Sequence, residues 1–182
     1  MTAIDRLIRR WREMKVRPYL RPGARLLDIG CGDGSLFRFS RRLRISGVGI
    51  DPTLDHNIEE YGYRLISGSF PEQLQDEAVF DVVTLLAVLE HIPERHQPRF
   101  ARDIAARLTR GGHLIVTVPS PRVDAILDGL RAVRLIDGMS LEQHYGFQAD
   151  RTPEIFTGAG LELVRWSRFQ LGLNNLFVFQ KH

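Results

Sequence analysis

Cysteine is all but missing from this 182-residue sequence. Cys31 stands alone, so no intrachain disulfide can form and no zinc cluster can be built from thiolates. No metal is expected. Lysine is nearly missing too: the 25 basic residues are all arginine except Lys15 and Lys181, a skew that reads as coding bias rather than recognition. No basic run is interleaved with aromatics, so a net charge of +3 brings no strong nucleic-acid signal. No apolar stretch approaches the ~20 residues that span a bilayer. Met1 to Arg17 is charged throughout and lacks the apolar centre of a signal peptide, which makes the cytoplasm the expected address. Repeats and low-complexity segments are absent. What is present, 43% apolar and 26% charged residues, describes a globular chain. A single domain over 1–182 with a real core is expected.

The stretch Leu26-Leu27-Asp28-Ile29-Gly30-Cys31-Gly32-Asp33-Gly34-Ser35-Leu36 organises that domain. Arg25 to Ile29 reads as a short buried parallel strand bounded by Pro22-Gly23 and Gly30. Glycines at alternate positions let the chain turn through dihedrals closed to other residues and bring a ligand close to the main chain. Helical spacing resumes at Leu36, Phe39, Ser40 and Leu43. Strand, glycine turn and helix form the arrangement with which an open α/β sheet binds a nucleotide-like ligand. Cys31 reads as a small residue fitting a tight bend rather than as a nucleophile. A second strand, Ser46 to Asp51, ends in a carboxylate about 20 residues beyond the turn, where it can accept hydrogen bonds from ribose hydroxyls.

The dinucleotide fingerprint Gly-x-Gly-x-x-Gly fits poorly, because Ser35 occupies its third glycine position. Asp28-x-Gly30-x-Gly32-x-Gly34 instead resembles the first motif of class I S-adenosylmethionine-dependent methyltransferases. Phe80-Asp81-Val82-Val83 followed by Leu89-Glu90-His91-Ile92, and Gly111-Gly112-His113-Leu114 leading to Pro119, are similar to later phrases of that family. The resemblance is dense over residues 25–119 and looser to 182. It implies a doubly wound, Rossmann-like α/β sheet of seven strands with the last antiparallel and helices on both faces. It also implies S-adenosylmethionine as cofactor, held by Asp28, Gly30, Cys31, Gly32, Gly34, Asp51, Pro52, Gly68, Ser69, Phe70 and Leu86. Ser69 stands where the family often has an aspartate facing the adenine amino group; Phe70 either stacks on the adenine or enters the core. The family's Asn/Asp-Pro-Pro-Tyr/Phe phrase for methylating nucleobase amines is replaced by Leu85-Leu86-Ala87-Val88, which argues against that reaction.

Elsewhere the chain reads locally. Apolar Ile4, Leu7, Ile8, Trp11, Met14 and, less neatly, Val16 recur at helical spacing in residues 1–17. Such a helix would cover a sheet edge or the mouth of the cofactor site, leaving Arg6, Arg9, Arg10 and Arg17 on a solvated face or toward an acidic substrate or membrane. Glu94 to Thr109 reads as a helix closed by Gly111-Gly112. Residues 120–150 are a candidate substrate-side insertion: an apolar helix from Val123 to Ile136 that reads first as a plain packed helix and otherwise as a lid over the substrate or a homodimer contact, then a polar loop with His144 and Tyr145. Thr152 is expected to cap a helix beginning at Pro153. Leu161 to Phe169 and Asn174 to Gln180 read as a closing antiparallel pair. His144 and His91 are the candidates for deprotonating or positioning an acceptor, since imidazole titrates near neutrality. The expected activity is methyl transfer to a small-molecule acceptor, as O-methylation of a sugar, lipid or polyketide-like hydroxyl. The alternatives are a non-catalytic module of the same fold that binds RNA or protein, and an NAD-dependent oxidoreductase.

Overall fold

Short apolar runs become the central strands, and two amphipathic runs, residues 3–16 and 97–107, become the longer helices. The structure, a computed structural model, describes residues 3–60, 62–74, 78–120 and 148–182. In chain order the strands are β1 (Arg25–Ile29), β2 (Ser46–Asp51), β3 (Ile58–Glu60), β4 (Tyr63–Ser67), β5 (Phe80–Leu86), β6 (Leu108–Pro119), β7 (Leu161–Phe169) and β8 (Asn174–Lys181). The helices are α1 (Ala3–Val16), α2 (Ser35–Phe39), α3 (Gln97–Arg107) and α4 (Thr152–Thr157).

These strands form one sheet in the order β3-β4-β2-β1-β5-β6-β8-β7. Strands β4, β2, β1, β5 and β6 are parallel. The last strand, β8, runs antiparallel between β6 and β7. This is the doubly wound plan with a reversed final strand. The eighth strand is an addition: three residues, β3, pair antiparallel with β4 at the edge, too few and too polar to show a period in sequence. From β1 the chain moves to β2 on one side and later to β5 on the other, so the order reverses at β1. A crevice opens there, beyond the carboxyl ends of the strands.

Each face of the sheet is covered. Phe100, Ala101 and Ile104 of α3 and Phe156 of α4 pack with Val83, Leu85, Leu114 and Phe177 on one face. Leu36 and Phe37 of α2 and Val16 of α1 pack with Leu26, Val82, Ile115 and Val178 on the other. Strand β8 is buried from Asn174 to Phe179 because it has neighbours in the sheet and helices over both faces.

Three local expectations change. Helix α3 stops at Arg107, since Leu108 pairs with Phe80 and enters β6. Its last carbonyls are met by the Lys181 ammonium, 2.8 Å from the oxygens of Ala105 and Leu108, and not by the Gly111-Gly112 pair, which lies inside β6. Thr152 is the first residue of α4, with Arg151 at the cap position. Helix α1 leaves Arg6 and Arg10 exposed, and Arg17 just after it, as expected, but it does not bury its apolar stripe. Its Leu7, Trp11 and Met14 are 60%, 41% and 44% exposed, while Glu13 is 3% exposed and Val16 fully buried. The apolar helix expected at 123–136 and the loop with His144 and Tyr145 lie outside the described residues, as does nearly all of the 120–150 insertion.

Candidate functional site

Strand β1 delivers Asp28 and Ile29 to the crevice, and the chain then turns through Gly30, Gly32 and Gly34 with φ of 77°, 53° and 75°. Two of these glycines are needed for different reasons. A Cβ on Gly30 would lie 2.3 Å from Cγ2 of Val88, so that position is closed by packing. A Cβ on Gly32 would meet nothing within 4 Å. The Gly32 backbone therefore fronts open space. The amides of Gly30 and Cys31 both donate to the Ile50 carbonyl, which binds the turn to β2.

Asp51, at the end of β2, is buried. Its Oδ2 accepts from the Gly32 amide at 2.7 Å, and its Oδ1 from the amide and hydroxyl of Thr53 at 2.8 and 2.5 Å. A carboxylate offers about four accepting directions, so one stays open, and rotation of the Thr53 hydroxyl releases another. Asp28 is buried beneath the turn and accepts from the Thr84 hydroxyl at 2.6 Å. Burial pushes its pKa up to about 7 against that hydrogen bond, with Glu13 and Asp51 adding to the rise. Glu13 reaches the turn from α1, where its Oε1 accepts from the Ser35 hydroxyl at 2.5 Å. Three carboxyl groups, of Asp28, Asp51 and Glu13, thus lie against the glycine turn, while a fourth, that of Asp33 within it, is paired with Arg9 and Arg38. The Cys31 thiol is buried and its pKa is pushed up, first by burial and then by Asp28 and Asp51, which removes it as a nucleophile.

A cavity of about 450 Å³ opens beside the turn. Of the residues expected from the sequence, Gly30, Asp51, Pro52, Gly68, Ser69, Phe70 and His91 line it together. Asp28, Cys31, Gly32, Gly34 and Leu86 are not on its wall. The remaining wall is mainly apolar, with Ile29, Ile50, Val88, Ile92 and Phe100. Phe70 serves the core and the wall at once: it is 7% exposed and meets Phe100 edge-on, ring centroids 5.7 Å apart. The Ser69 amide donates to Gln73 Oε1 at 2.7 Å, so Gln73 shapes the loop beside Gly68. A second cavity, about 460 Å³, is lined by Arg21, Asp81 and His113 at the amino ends of the strands, away from the crevice where such sheets bind ligands.

Several contributors escape sequence reasoning: Glu13, Thr53, Gln73, Thr84 and the pair Arg12 and Glu90. Burial pushes the Glu90 carboxyl up to about 7, opposed by the Arg12 guanidinium. Arg12 in turn donates from Nη2 to Asn174 Oδ1 at 3.4 Å. Among the described residues, Arg12 Nε and Glu90 Oε2 are buried without a hydrogen-bond partner. Only Glu90 carried a signal, as part of the Leu-Glu-His phrase. Glu13, Thr84 and Arg12 are set by contacts across the fold, whereas Thr53 and Gln73 bond locally, to Asp51 and Ser69.

A model of the methyltransferase domain matches residues 2–165. A ubiquinone biosynthesis O-methyltransferase of Alkalilimnicola ehrlichii is 39% identical over 106 residues, covering 51% of this chain and 40% of that protein. Another of the same name, from Maricaulis maris, is 38% identical over 109 residues, covering 55% and 41%. The chain thus matches about two fifths of the length of these curated relatives. Among solved structures, the 1,6-didemethyltoxoflavin-N1-methyltransferase of Burkholderia thailandensis superposes with a TM-score of 0.70 at 18% identity, over 94% of this chain and 77% of that one. That likeness is one of fold.

Proposed function

Since this chain belongs to the methyltransferase domain family, we propose that it transfers a methyl group from S-adenosylmethionine to a small-molecule acceptor, with a sugar, lipid or polyketide-like hydroxyl as the receiving group. The observation that carries the reading is the cavity shared by Gly30, Asp51, Ser69 and Phe70, joined to the acidic glycine turn by the bond from Gly32 to Asp51. The parts suit that cofactor. An apolar slot takes an adenine, a carboxylate with an open accepting direction takes ribose hydroxyls, and three carboxyl groups around the turn favour an ammonium.

When bound, S-adenosylmethionine supplies an electrophilic methyl carbon on a sulfonium. The chain's own work is then alignment and proton handling: it holds the acceptor oxygen in line and takes up its proton. His91 lines the cavity and is the described residue proposed for that proton. His144, outside the described residues, is the second candidate. The curated relatives are named for O-methylation in ubiquinone biosynthesis, which supports oxygen as the acceptor atom.

Calorimetric titration with S-adenosylmethionine, S-adenosylhomocysteine and NAD in parallel tests the assignment. Micromolar binding of the first two alone is the expected result. Binding of NAD alone would replace this reading with an oxidoreductase, and heat from none would favour a module that binds without cofactor. Acceptor screening with His91→Ala and His144→Ala follows.

A further inference from the structure

Helix α1 presents an apolar stripe to solvent. Leu7, Trp11 and Met14 occur at i, i+4 and i+7, one side of a helix, and are 60%, 41% and 44% exposed. Next to them is the tip of the β7–β8 hairpin. Gln170 donates from Nε2 to the Ile8 carbonyl at 3.0 Å, which fixes the tip against α1, and Leu171 beyond it is 94% exposed. A protein that needed this stripe for its own core would have turned it inward; α1 instead sends Glu13 and Val16 inward.

Basic groups flank the stripe on both sides. Arg6 and Arg10 follow one flank, Lys15 the other, and Arg168 stands near it on the hairpin. From Arg6 to Val16 the only acid is Glu13, which is buried, and from Arg165 to Asn175 there is none. An apolar stripe with an indole, bordered by cations, is the pattern of a helix lying in a lipid interface. The indole suits the headgroup level, and the arginines and lysine meet anionic phosphates. A second copy fits this surface badly, because pairing two such stripes would bring like-charged flanks together.

We propose that α1 and the adjoining hairpin tip dock flat on an anionic lipid bilayer. The inward side of α1 touches the glycine turn, through Glu13 to Ser35 and Arg9 to Asp33, so docking puts the lipid surface one helix away from the site. No described helix is long and apolar enough to cross the membrane, and this mode does not need one. Docking does not depend on methyl transfer, so the two proposals fail separately.

The test is flotation of the full chain with vesicles of phosphatidylcholine, with and without phosphatidylglycerol. Fluorescence of Trp166→Phe, which leaves Trp11 as the reporter, is read alongside. Expected are binding to the anionic vesicles alone, a blue shift of Trp11, release at high salt, and at least tenfold weaker partition for Leu7→Gln/Trp11→Gln with unchanged circular dichroism. Equal binding by the double variant, no binding by the parent chain, or a parent dimer that the double variant converts to monomer would each overturn the proposal.

Discussion

The Gly32 amide donates to Oδ2 of Asp51 across 2.7 Å, and the two residues belong to different halves of the site. Gly32 sits in the turn that follows β1; Asp51 ends β2. Because the same carboxylate also accepts from Thr53, it is held in one orientation before any ligand arrives. Preorganisation of this kind lowers the ordering cost of binding. It also means that the turn and the carboxylate cannot be altered independently.

Asp51→Ala is therefore expected to weaken S-adenosylmethionine binding by about 2–3 kcal/mol, the scale of hydrogen bonds to a charged group. In titration calorimetry this is a rise in Kd of roughly 30- to 150-fold. Asp51→Asn, which keeps one oxygen acceptor, should fall between. An Asp51→Ala Kd within threefold of the parent would remove Asp51 from the ribose site.

Gly30 and Gly32 should separate stability from binding. Gly30→Ala forces a Cβ against Val88 and is expected to cost about 2–3 kcal/mol, lowering Tm by roughly 5–10 °C. Val88→Ala in the same chain should restore part of that loss. Gly32→Ala carries only the strain of its φ of 53°, about 1 kcal/mol, yet should reduce cofactor affinity at least tenfold, because its Cβ enters the open space of the cradle. Thermal melts with and without ligand distinguish the two.

Stability should depend on pH through Asp28, whose carboxyl rises from 3.8 to about 7 on burial. Between those values the folded chain holds a proton that the unfolded chain has released, so this group's contribution to stability declines as pH rises from about 4 to 7 and is level above. From pH 5 to pH 7 the decline is about 2 kcal/mol. In urea unfolding, Asp28→Asn should remove this part of the slope. A variant with the parent's slope would place the titration elsewhere, for which Glu90, also near 7, is the next group to replace.

Cofactor binding should expel a proton from the same carboxyl. An ammonium beside the acidic turn favours the ionised form of Asp28 and lowers its pKa, so binding near pH 6.5 releases protons. Calorimetry in buffers of different ionisation enthalpy measures the number. About half a proton is expected for the parent and almost none for Asp28→Asn.

His91→Ala should lower kcat by roughly 100-fold or more if the imidazole takes the acceptor proton, with the S-adenosylmethionine Kd unchanged. The loss should be largest on the plateau above the acidic limb of the parent's pH–rate profile, where a general base is deprotonated. A change confined to KM would make His91 a positioning residue.

Much of the fold is legible in the sequence because it is written at short range. Alternate glycines after an apolar run admit few backbone paths, so β1, its turn and the start of α2 follow from about a dozen residues. The place of Asp51 at the end of β2 could be read from spacing, since a strand and a helix have fixed lengths per residue. The reversed pair β7 and β8 showed itself as two apolar runs around Leu171-Gly172-Leu173.

Other features had no local trace. Leu108 joins β6, and leaves α3, because Phe80 offers it a strand to pair with. Lys181 caps α3 from 73 or more residues away. Above all, the spacing in α1 showed that one side is apolar but not which side the protein would bury. That was decided by contacts between distant residues: Glu13 with Ser35, Gln170 with Ile8, and Val16 in the core. Periodicity fixes the angle between side chains around a helix axis, and only packing against the rest of the chain fixes the helix's rotation about it.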